Sequence, residues 1–258
     1  MDNFKIDKLK VSVVEETSKM AEAAAEFVYE KLCEVISSKG YANLMLATAS
    51  SQIGFLEALK KKNIDWKKIT IFHMDEYKGL SAKHPASFRN FLKERVIDYV
   101  KPHEVYYLNG DANDLDAEIK AYGEQLKSHP LDVACIGIGE NGHIAFNDPA
   151  VADFNDPEWV KVADLDDICR NQQLNEGWYP TFDGVPKQAL TVTIPAIMKS
   201  KLISCVVPDE RKSQAVYDTL FGEISTSCPA SILRTHPDAV LFLDSGSASK
   251  LDVKDLIK

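Results

Sequence analysis

The stretch VACIGIGENGHIAFNDP, from Val133 to Pro149, indicates the fold class of this chain. Its first four residues are continuously apolar, which is typical of a parallel strand that is covered on both faces. A glycine-rich loop follows directly at the end of that strand. Ligands of open α/β sheets bind beyond the carboxyl ends of the strands, so this loop is a candidate binding segment.

The rest of the chain continues the alternation of strands and helices. Strands are predicted at 10–14, 43–47, 69–72, 105–108, 133–136, 190–194, 202–207 and 239–243, and helices at 18–38, 53–62, 84–99 and 113–127. This order predicts an α/β fold in a single domain over residues 1–258, with a mainly parallel sheet and helices on both faces. Residues 147–187 contain four prolines and little periodicity, so we expect a lid-like insertion there.

Composition excludes several classes of protein. The 258 residues are 45% hydrophobic and carry 30 basic against 39 acidic side chains, a net charge of −9, which argues against a disordered chain and against nucleic acid as a partner. No apolar stretch is long enough to cross a membrane, and no signal peptide is visible. Five scattered cysteines without a C-x-x-C pair argue against a zinc site or a redox dithiol. We therefore expect a cytoplasmic protein without a membrane partner.

Polar residues follow two other strands. Thr48-Ala49-Ser50-Ser51-Gln52 leads into a helix, where unpaired backbone N–H groups could bind an anion; an ordinary helix cap is the simpler interpretation. Asp75 and Glu76 follow the strand at 69–72. Neighbouring carboxylates raise each other's pKa, which suits a general base, although a solvated acidic turn is an equally good interpretation.

The glycine-rich loop contains the spacing G-x-G-x-x-G at Gly137, Gly139 and Gly142. A dinucleotide site needs a helix to begin at the last glycine, whereas Asn147-Asp148-Pro149 prevents a long helix here. The match is therefore not a nucleotide site. His143 and Asp148 lie in the same loop, so the carboxylate could orient the imidazole for acid–base work; a structural histidine is the alternative.

Three motifs in this order resemble the glucosamine-6-phosphate deaminase (isomerase) family, which is related to 6-phosphogluconolactonases. They are Met74-Asp75-Glu76-Tyr77, the loop 137–149, and Val185-Pro186-Lys187-Gln188-Ala189-Leu190-Thr191-Val192. The resemblance covers residues 42–244. It implies a Rossmann-like α/β fold and the isomerisation and deamination of glucosamine 6-phosphate with water, giving fructose 6-phosphate and ammonia without a metal or other cofactor.

The resemblance also implies roles for individual residues. Asp75 matches the general base that moves a proton from C2 to C1, His143 matches the group that assists ring opening at O5, and Asp148 stands where the family usually has a Glu beside that histidine. The predicted catalytic residues are Asp75, Asn141, His143 and Asp148; the predicted substrate-binding residues are Thr48, Ala49, Ser50, Ser51, Glu76, Gly139, Arg170 and Lys212; no metal ligand is predicted.

The expected partner is a small molecule, a sugar phosphate. Two of the predicted substrate-binding residues, Lys212 and Arg170, are expected to bind its phosphate. Lys212 matches the family's phosphate-binding lysine. The family also places an arginine shortly before the Val-Pro-Lys motif, and Arg170 is the only cation in the stretch 170–178. The phosphate loop is usually glycine-rich, whereas Ala49 stands here.

Other functions remain open at this point. A lactonase would use His143 as its base, but lactonases lack the Met-Asp-Glu-Tyr motif and the Phe-Asn-Asp/Glu-Pro continuation. An inactive phosphosugar-binding protein would explain the altered phosphate loop. A metal hydrolase would use His73, Asp75, His143 and Asp148. The resemblance also allows a homo-oligomer.

Overall fold

The structure, a computed structural model, describes residues 2–253. Within them the strands are β1 (Asp2–Ile6), β2 (Leu9–Val14), β3 (Ala42–Leu46), β4 (Ile69–His73), β5 (Asp75–Tyr77), β6 (Glu104–Tyr106), β7 (Val133–Ile136), β8 (Val160–Asp164), β9 (Gln188–Val192), β10 (Leu202–Val207) and β11 (Ala239–Asp244). The helices are α1 (Thr17–Lys39), α2 (Ile53–Leu59), α3 (Phe88–Leu92), α4 (Asp98–Val100), α5 (Leu115–Ser128), α6 (Asp167–Asn175), α7 (Ile194–Met198) and α8 (Ser213–Phe221).

The main sheet has the order β1-β2-β11-β10-β7-β3-β4-β6. Its neighbours pair in parallel except for β1 and β2. This confirms the predicted α/β fold with a mainly parallel sheet. The chain places β4 and β6 on one side of β3, but β10 and β11 on the far side of β7. The strand order therefore reverses between β3 and β7, and a crevice is expected beyond their carboxyl ends.

Helices cover both faces of this sheet because successive strand residues point to opposite sides. Leu44 and Leu46 of β3 pack with α1 and α2 in one hydrophobic cluster. Met45 lies in a second cluster with residues of α5, α7 and α8. Among residues 2–253, no helix combines the length and apolar character that a bilayer crossing requires.

A small antiparallel sheet, β5-β9-β8, lies beside the main one. The sequence did not predict β5 or β8, and the predicted strand at 190–194 is β9 of this small sheet. Asp75 of β5 pairs with Thr191 of β9. The small sheet therefore fixes the backbone of Asp75 just after β4.

The insertion at 147–187 has more regular structure than expected. It contains β8, α6 and a 3₁₀ turn at Phe182–Gly184. Helix α6 buries Cys169, Arg170, Gln172 and Gln173, so its inner face is polar. An apolar stripe, the usual signal of a buried helix face, is absent from its sequence. The predicted helix at 84–99 also begins later, at Phe88, after the cap residue Ser87 accepts a hydrogen bond from the N–H of Asn90.

Candidate active site

Two adjoining pockets lie beyond the carboxyl ends of the strands at the reversal of strand order. The first, called the Asp75 pocket, has a volume of about 480 Å³ including its open mouth, and is lined by residues that follow β3, β4 and β7. The second, called the Lys212 pocket, is lined by Lys212 and Arg211 after β10. Ser51 lines both pockets. The two pockets together form one site, with a buried aspartate at one end and a buried lysine at the other.

Asp75 is the buried acid of the first pocket. Its side chain is 7% exposed, and its Oδ1 has no hydrogen-bond partner among the described residues. Burial, together with the nearby charge of Glu76, raises the pKa of Asp75 from 3.8 to about 8. A carboxyl group with a pKa near neutrality can both accept and return a proton, as a general acid–base group must.

Glu76 does not belong to the pocket, which corrects its predicted role in binding. Neighbouring residues of a strand point to opposite faces, and Glu76 is fully buried on the other side. Its carboxylate accepts hydrogen bonds from Ser87 Oγ at 2.6 Å and Arg89 Nε at 3.1 Å, and from the backbone N–H groups of Tyr77, Phe88 and Arg89. Glu76 therefore anchors the segment that carries Asp75.

His143 faces the Asp75 pocket, with Asp148 behind it. The distance from His143 Nδ1 to Asp148 Oδ1 is 2.8 Å, which is close enough for an ion pair. Asn141 donates to Asp148 Oδ1 at 3.1 Å, and the N–H of Asp166 donates to Asp148 Oδ2 at 3.0 Å. Burial alone would raise the pKa of Asp148, but His143 and these donors outweigh it and lower the pKa below 3.8. Asp148 thus stays ionised and can hold the imidazole in place.

The three glycines of the loop have structural roles around this histidine. A Cβ atom on Gly139 would lie 2.1 Å from the His143 ring, and one on Gly137 would lie 2.8 Å from Gln52 Nε2. Gly142 has a φ of +83°, which glycine adopts without strain. The G-x-G-x-x-G spacing therefore makes room for the imidazole and for the loop after β3.

The loop after β3 brings the predicted hydroxyl groups to the two pockets. Thr48 and Ala49 line the Asp75 pocket and Ser50 lines the Lys212 pocket. Thr48 Oγ1 is buried without a hydrogen-bond partner among residues 2–253. Ala49 has φ 80° and ψ 170°, a region that is populated almost only by glycine. The loop therefore keeps the backbone shape of a glycine-rich loop although a methyl group is present.

Lys212 is the buried cation of the second pocket. It is only 2% exposed, and its Nζ has no hydrogen-bond partner among the described residues. Burial lowers the pKa of this ammonium group, since an isolated buried charge is unfavourable. An anionic ligand beside Lys212 would supply the missing partner. Arg211 lies at the rim, where it forms an ion pair with Asp209 at 2.8 Å.

Of the four residues suggested for a metal hydrolase, His73 lies apart from the other three. His73 is fully buried, burial lowers its pKa to about 3, and it does not line the Asp75 pocket. The structure instead places ligand atoms of His143, Asp148 and Cys169 within 4.8 Å of one another. Both oxygens of Asp148 already accept hydrogen bonds, so this group fits the orientation of His143 better than an ion.

Comparison with known proteins agrees with this geometry. The family model described as glucosamine-6-phosphate isomerases/6-phosphogluconolactonase matches residues 15–242. The chain belongs to this family. It is 34% identical to a protein named glucosamine-6-phosphate deaminase from Bacillus cytotoxicus, over 93% of this chain and 88% of that protein. It is also 35% identical to one of the same name from Bacillus cereus, over 90% and 86%.

Solved structures of the family share the Rossmann-like α/β fold. A structure described as a monomeric glucosamine-6-phosphate deaminase has a TM-score of 0.84 and 32% identity, covering 93% of this chain and 98% of that one. The 6-phosphogluconolactonase from Trypanosoma brucei has a TM-score of 0.77 at 18% identity, covering 96% and 99%. The second likeness concerns the fold alone.

The family resemblance predicted Arg170 as a phosphate ligand, and the structure does not place it in either pocket. Its guanidinium stacks on the ring of Phe182 at 3.9 Å and donates to the carbonyl oxygens of Phe182 and Val185. Helix α6 instead brings Gln172 and Gln173 to the Asp75 pocket. Sequence reasoning missed both glutamines because no helix was predicted at 167–175.

Proposed function

We propose that this protein is an amino-sugar phosphate deaminase that converts glucosamine 6-phosphate and water to fructose 6-phosphate and ammonia. The observation that carries the proposal is Asp75: a buried carboxyl group with a pKa raised to about 8, with an unpartnered oxygen, in one pocket with His143. The relatives in the family that bear the name deaminase support the same reaction.

The phosphate is bound in the Lys212 pocket. Lys212 Nζ lacks a partner among residues 2–253, and Ser50 and Ser51 add hydroxyl donors beside it. This leaves the sugar carbons in the Asp75 pocket, which shares Ser51 with the phosphate end. Binding energy from the phosphate, which does not react, positions C2 against Asp75.

The reaction then proceeds in three stages: ring opening, transfer of a proton from C2 to C1, and hydrolysis by one molecule of water. His143, held by Asp148, takes the proton of the C1 hydroxyl and delivers a proton to the ring oxygen O5, so that the ring opens to the aldehyde. The amino group enters this step as an ammonium. The ionised Asp75 takes the proton from C2 while a proton of the ammonium group moves to O1, which gives an enolamine. Asp75 then returns its proton to C1, so that C1 becomes a hydroxymethyl group and C2 an iminium carbon. Water adds to C2 and ammonia leaves, giving the ketose phosphate.

A panel of three substrates tests this proposal. Purified protein should release ammonia from glucosamine 6-phosphate and form fructose 6-phosphate without added metal. Acid release from 6-phosphogluconolactone instead of ammonia would establish a lactonase. Binding of both compounds, and of glucose 6-phosphate, without any turnover would establish an inactive phosphosugar-binding protein.

Replacement of Lys212 tests the phosphate end separately. Lys212→Met should raise KM for glucosamine 6-phosphate by at least about tenfold and change kcat less, because the lost contact is made equally before and during the reaction. The variant Lys250→Met removes an exposed lysine, whose Nζ donates to Gln214 Oε1 at 2.7 Å, and serves as the control. An unchanged KM in Lys212→Met would place the phosphate elsewhere.

We further propose that the protein works in the cytoplasm. All five cysteines are free thiols, which is the usual state of cysteines in a reducing compartment.

A further inference from the structure

Gln173 of α6 is a buried residue of the Asp75 pocket whose donor group is unused. It is 3% exposed and lines the pocket. Its Oε1 accepts a hydrogen bond from the hydroxyl of Tyr77 at 2.8 Å. Its Nε2 makes no hydrogen bond to any residue between 2 and 253, yet it is not among the fully enclosed atoms that lack a partner. The amide N–H group therefore faces the open space of the pocket.

Gln172, the neighbour of Gln173 on the same helix, forms hydrogen bonds at both ends of its amide. Its Oε1 accepts from the N–H of Glu140 at 3.1 Å, and its Nε2 donates to Glu176 Oε1 at 2.9 Å. Both ends of its amide are thus occupied by the protein itself. Of these two neighbouring amides, Gln173 is the one whose Nε2 makes no hydrogen bond to a described residue.

Tyr77 fixes the direction of the Gln173 amide. Its ring is fully buried and lies 5.0 Å from the ring of Phe88, 5.2 Å from Phe146 and 5.6 Å from Tyr179, measured between centroids. A ring enclosed on three sides cannot swing its hydroxyl away. Because that hydroxyl binds the amide oxygen, the amide nitrogen is held toward the pocket.

The charges of the two pockets indicate which atoms of a substrate Gln173 meets. The described residues that line the Asp75 pocket include no lysine or arginine. Lys212 and Arg211 line the adjoining pocket together with two carboxylates that already have partners, since Asp209 pairs with Arg211 and Glu176 accepts from Gln172 and Trp178. The phosphate is drawn to those cations, so uncharged hydroxyl groups of the sugar remain in the Asp75 pocket. A neutral amide donor suits a hydroxyl oxygen, which needs a hydrogen bond but no neutralising charge.

We propose that Gln173 is a specificity-determining residue: its amide donates a hydrogen bond to the hydroxyl oxygen at C3, C4 or C5 of the sugar chain, and Tyr77 is the positioning residue that aims it. The inference rests on the proposed function, because it assumes a sugar phosphate in these pockets. On this inference, α6 carries the residue that distinguishes between sugar phosphates differing in one hydroxyl group.

The test measures binding of glucitol 6-phosphate, an open-chain sugar phosphate that has no carbonyl group and cannot react. Calorimetry should give a dissociation constant about 3- to 10-fold higher for Gln173→Met than for the wild type, the usual worth of one hydrogen bond. Methionine has a similar shape and no donor. Asn171→Met changes an exposed amide on the same helix and should leave the constant unchanged.

Deoxy analogues separate a direct contact from a disturbed fold. The 3-, 4- and 5-deoxy forms of glucitol 6-phosphate should each be compared with the wild type and Gln173→Met. For one of them the difference between the two proteins should vanish, because the hydroxyl that Gln173 binds is missing. A difference that persists with all three forms, or that is absent with the complete ligand, would overturn the inference.

The variant Tyr77→Phe tests whether Tyr77 positions the amide of Gln173. Alone it should weaken binding by a smaller factor than Gln173→Met, and in the Gln173→Met background it should have no further effect on binding. Additive effects of the two substitutions would overturn the positioning role of Tyr77. Ammonia release by the wild type is recorded alongside: turnover with unchanged binding in the variants would refute this inference alone, whereas the expected binding pattern without turnover would refute the deaminase function alone.

Discussion

Two segments of this site each bury an aspartate, with opposite consequences. The segment after β4 places Asp75 where its Oδ1 has no hydrogen-bond partner among residues 2–253, and burial raises its pKa to about 8. The loop after β7 surrounds Asp148 with His143 and Asn141, the residue before α6 adds the N–H of Asp166, and these groups lower the pKa of Asp148. The same side chain is therefore held ready to be protonated in one segment and permanently ionised in the other.

The comparison shows how different surroundings give two chemically identical side chains different roles. Burial without donors favours the neutral carboxyl form, and donors or a cationic partner favour the carboxylate. Pairs of acids whose environments shift their pKa values apart commonly mark the acid–base assignments of an active site. Asp75 is accordingly the group that exchanges protons, and Asp148 is the group that orients His143.

The largest effect should come from removing the proton-exchanging acid. Asp75→Asn should lower kcat/KM for glucosamine 6-phosphate by about 10²- to 10⁴-fold, because the variant cannot accept the C2 proton. Exchange of that proton with deuterated water, followed by NMR, should stop, while binding of glucitol 6-phosphate should persist. Proton exchange at the wild-type rate would show that another group is the base.

Asp148→Asn should have a smaller effect on the reaction. We expect kcat/KM to fall by about 10²-fold, since His143 remains but loses its charged partner, and the remaining Asp75 should still exchange the C2 proton. A loss equal to that of Asp75→Asn would mean that the two acids act as one unit rather than in separate roles.

The two variants should also change stability in opposite directions. A raised pKa in the folded state stabilises the protein below the unfolded pKa, and this stability is lost as the pH rises toward 8; a lowered pKa stabilises the protein above the unfolded pKa. At pH 8, Asp75→Asn should therefore increase the free energy of unfolding and Asp148→Asn should decrease it. Urea unfolding at pH 5 and pH 8 measures both, and a decrease for both variants at pH 8 would contradict the assigned environments.

The pH dependence of the wild-type reaction tests the raised pKa of Asp75. Asp75 must be ionised to accept a proton, so kcat/KM should rise about tenfold per pH unit below pH 8 and level off above it. Asp148→Asn should retain this rise. A wild-type profile that is already flat from pH 6 would show that Asp75 is ionised at neutral pH.

Replacement of Asn141 should have the smallest effect on the reaction. Asn141→Ala removes the donor to Asp148 Oδ1, a second donation at 2.8 Å to Asp166 Oδ2, and the oxygen that accepts from the N–H of His143 at 3.1 Å. We expect kcat/KM to fall by about 3- to 10-fold, the usual effect of losing hydrogen bonds of this kind. The exposed Asn171→Ala is the matched control, and an effect of equal size there would remove any special role from Asn141.

The sequence predicts the fold well where one local pattern determines the structure. The apolar strand at 133–136 is followed by three glycines that leave room for His143, and the alternation of strands and helices determines the parallel sheet. The sequence also indicates that Asn141 and His143 lie near Asp148, because all three residues are close along the chain. The structure brings Asp75, Asn141, His143 and Asp148 to one pocket region, as the motifs lead one to expect.

The sequence is less informative where contacts join distant segments. Glu76 lies beside Asp75 in the chain, but Ser87 and Arg89 take it to the opposite face of β5. Arg170 is the expected cation, yet a stack on Phe182 and two carbonyl groups hold it away from the pockets. Polar residues on the buried face of α6 gave no periodic signal, so Gln173 could be found only from the folded chain.

The most direct test of the account is a titration of the carboxyl carbons of the free protein by carbon-13 NMR with labelled aspartate. Asp75→Asn and Asp148→Asn assign the two signals by their disappearance. We expect Asp75 to titrate near pH 8 and Asp148 below its ordinary value of 3.8. Titration of both groups near pH 4 would contradict the claim that their surroundings separate the two roles.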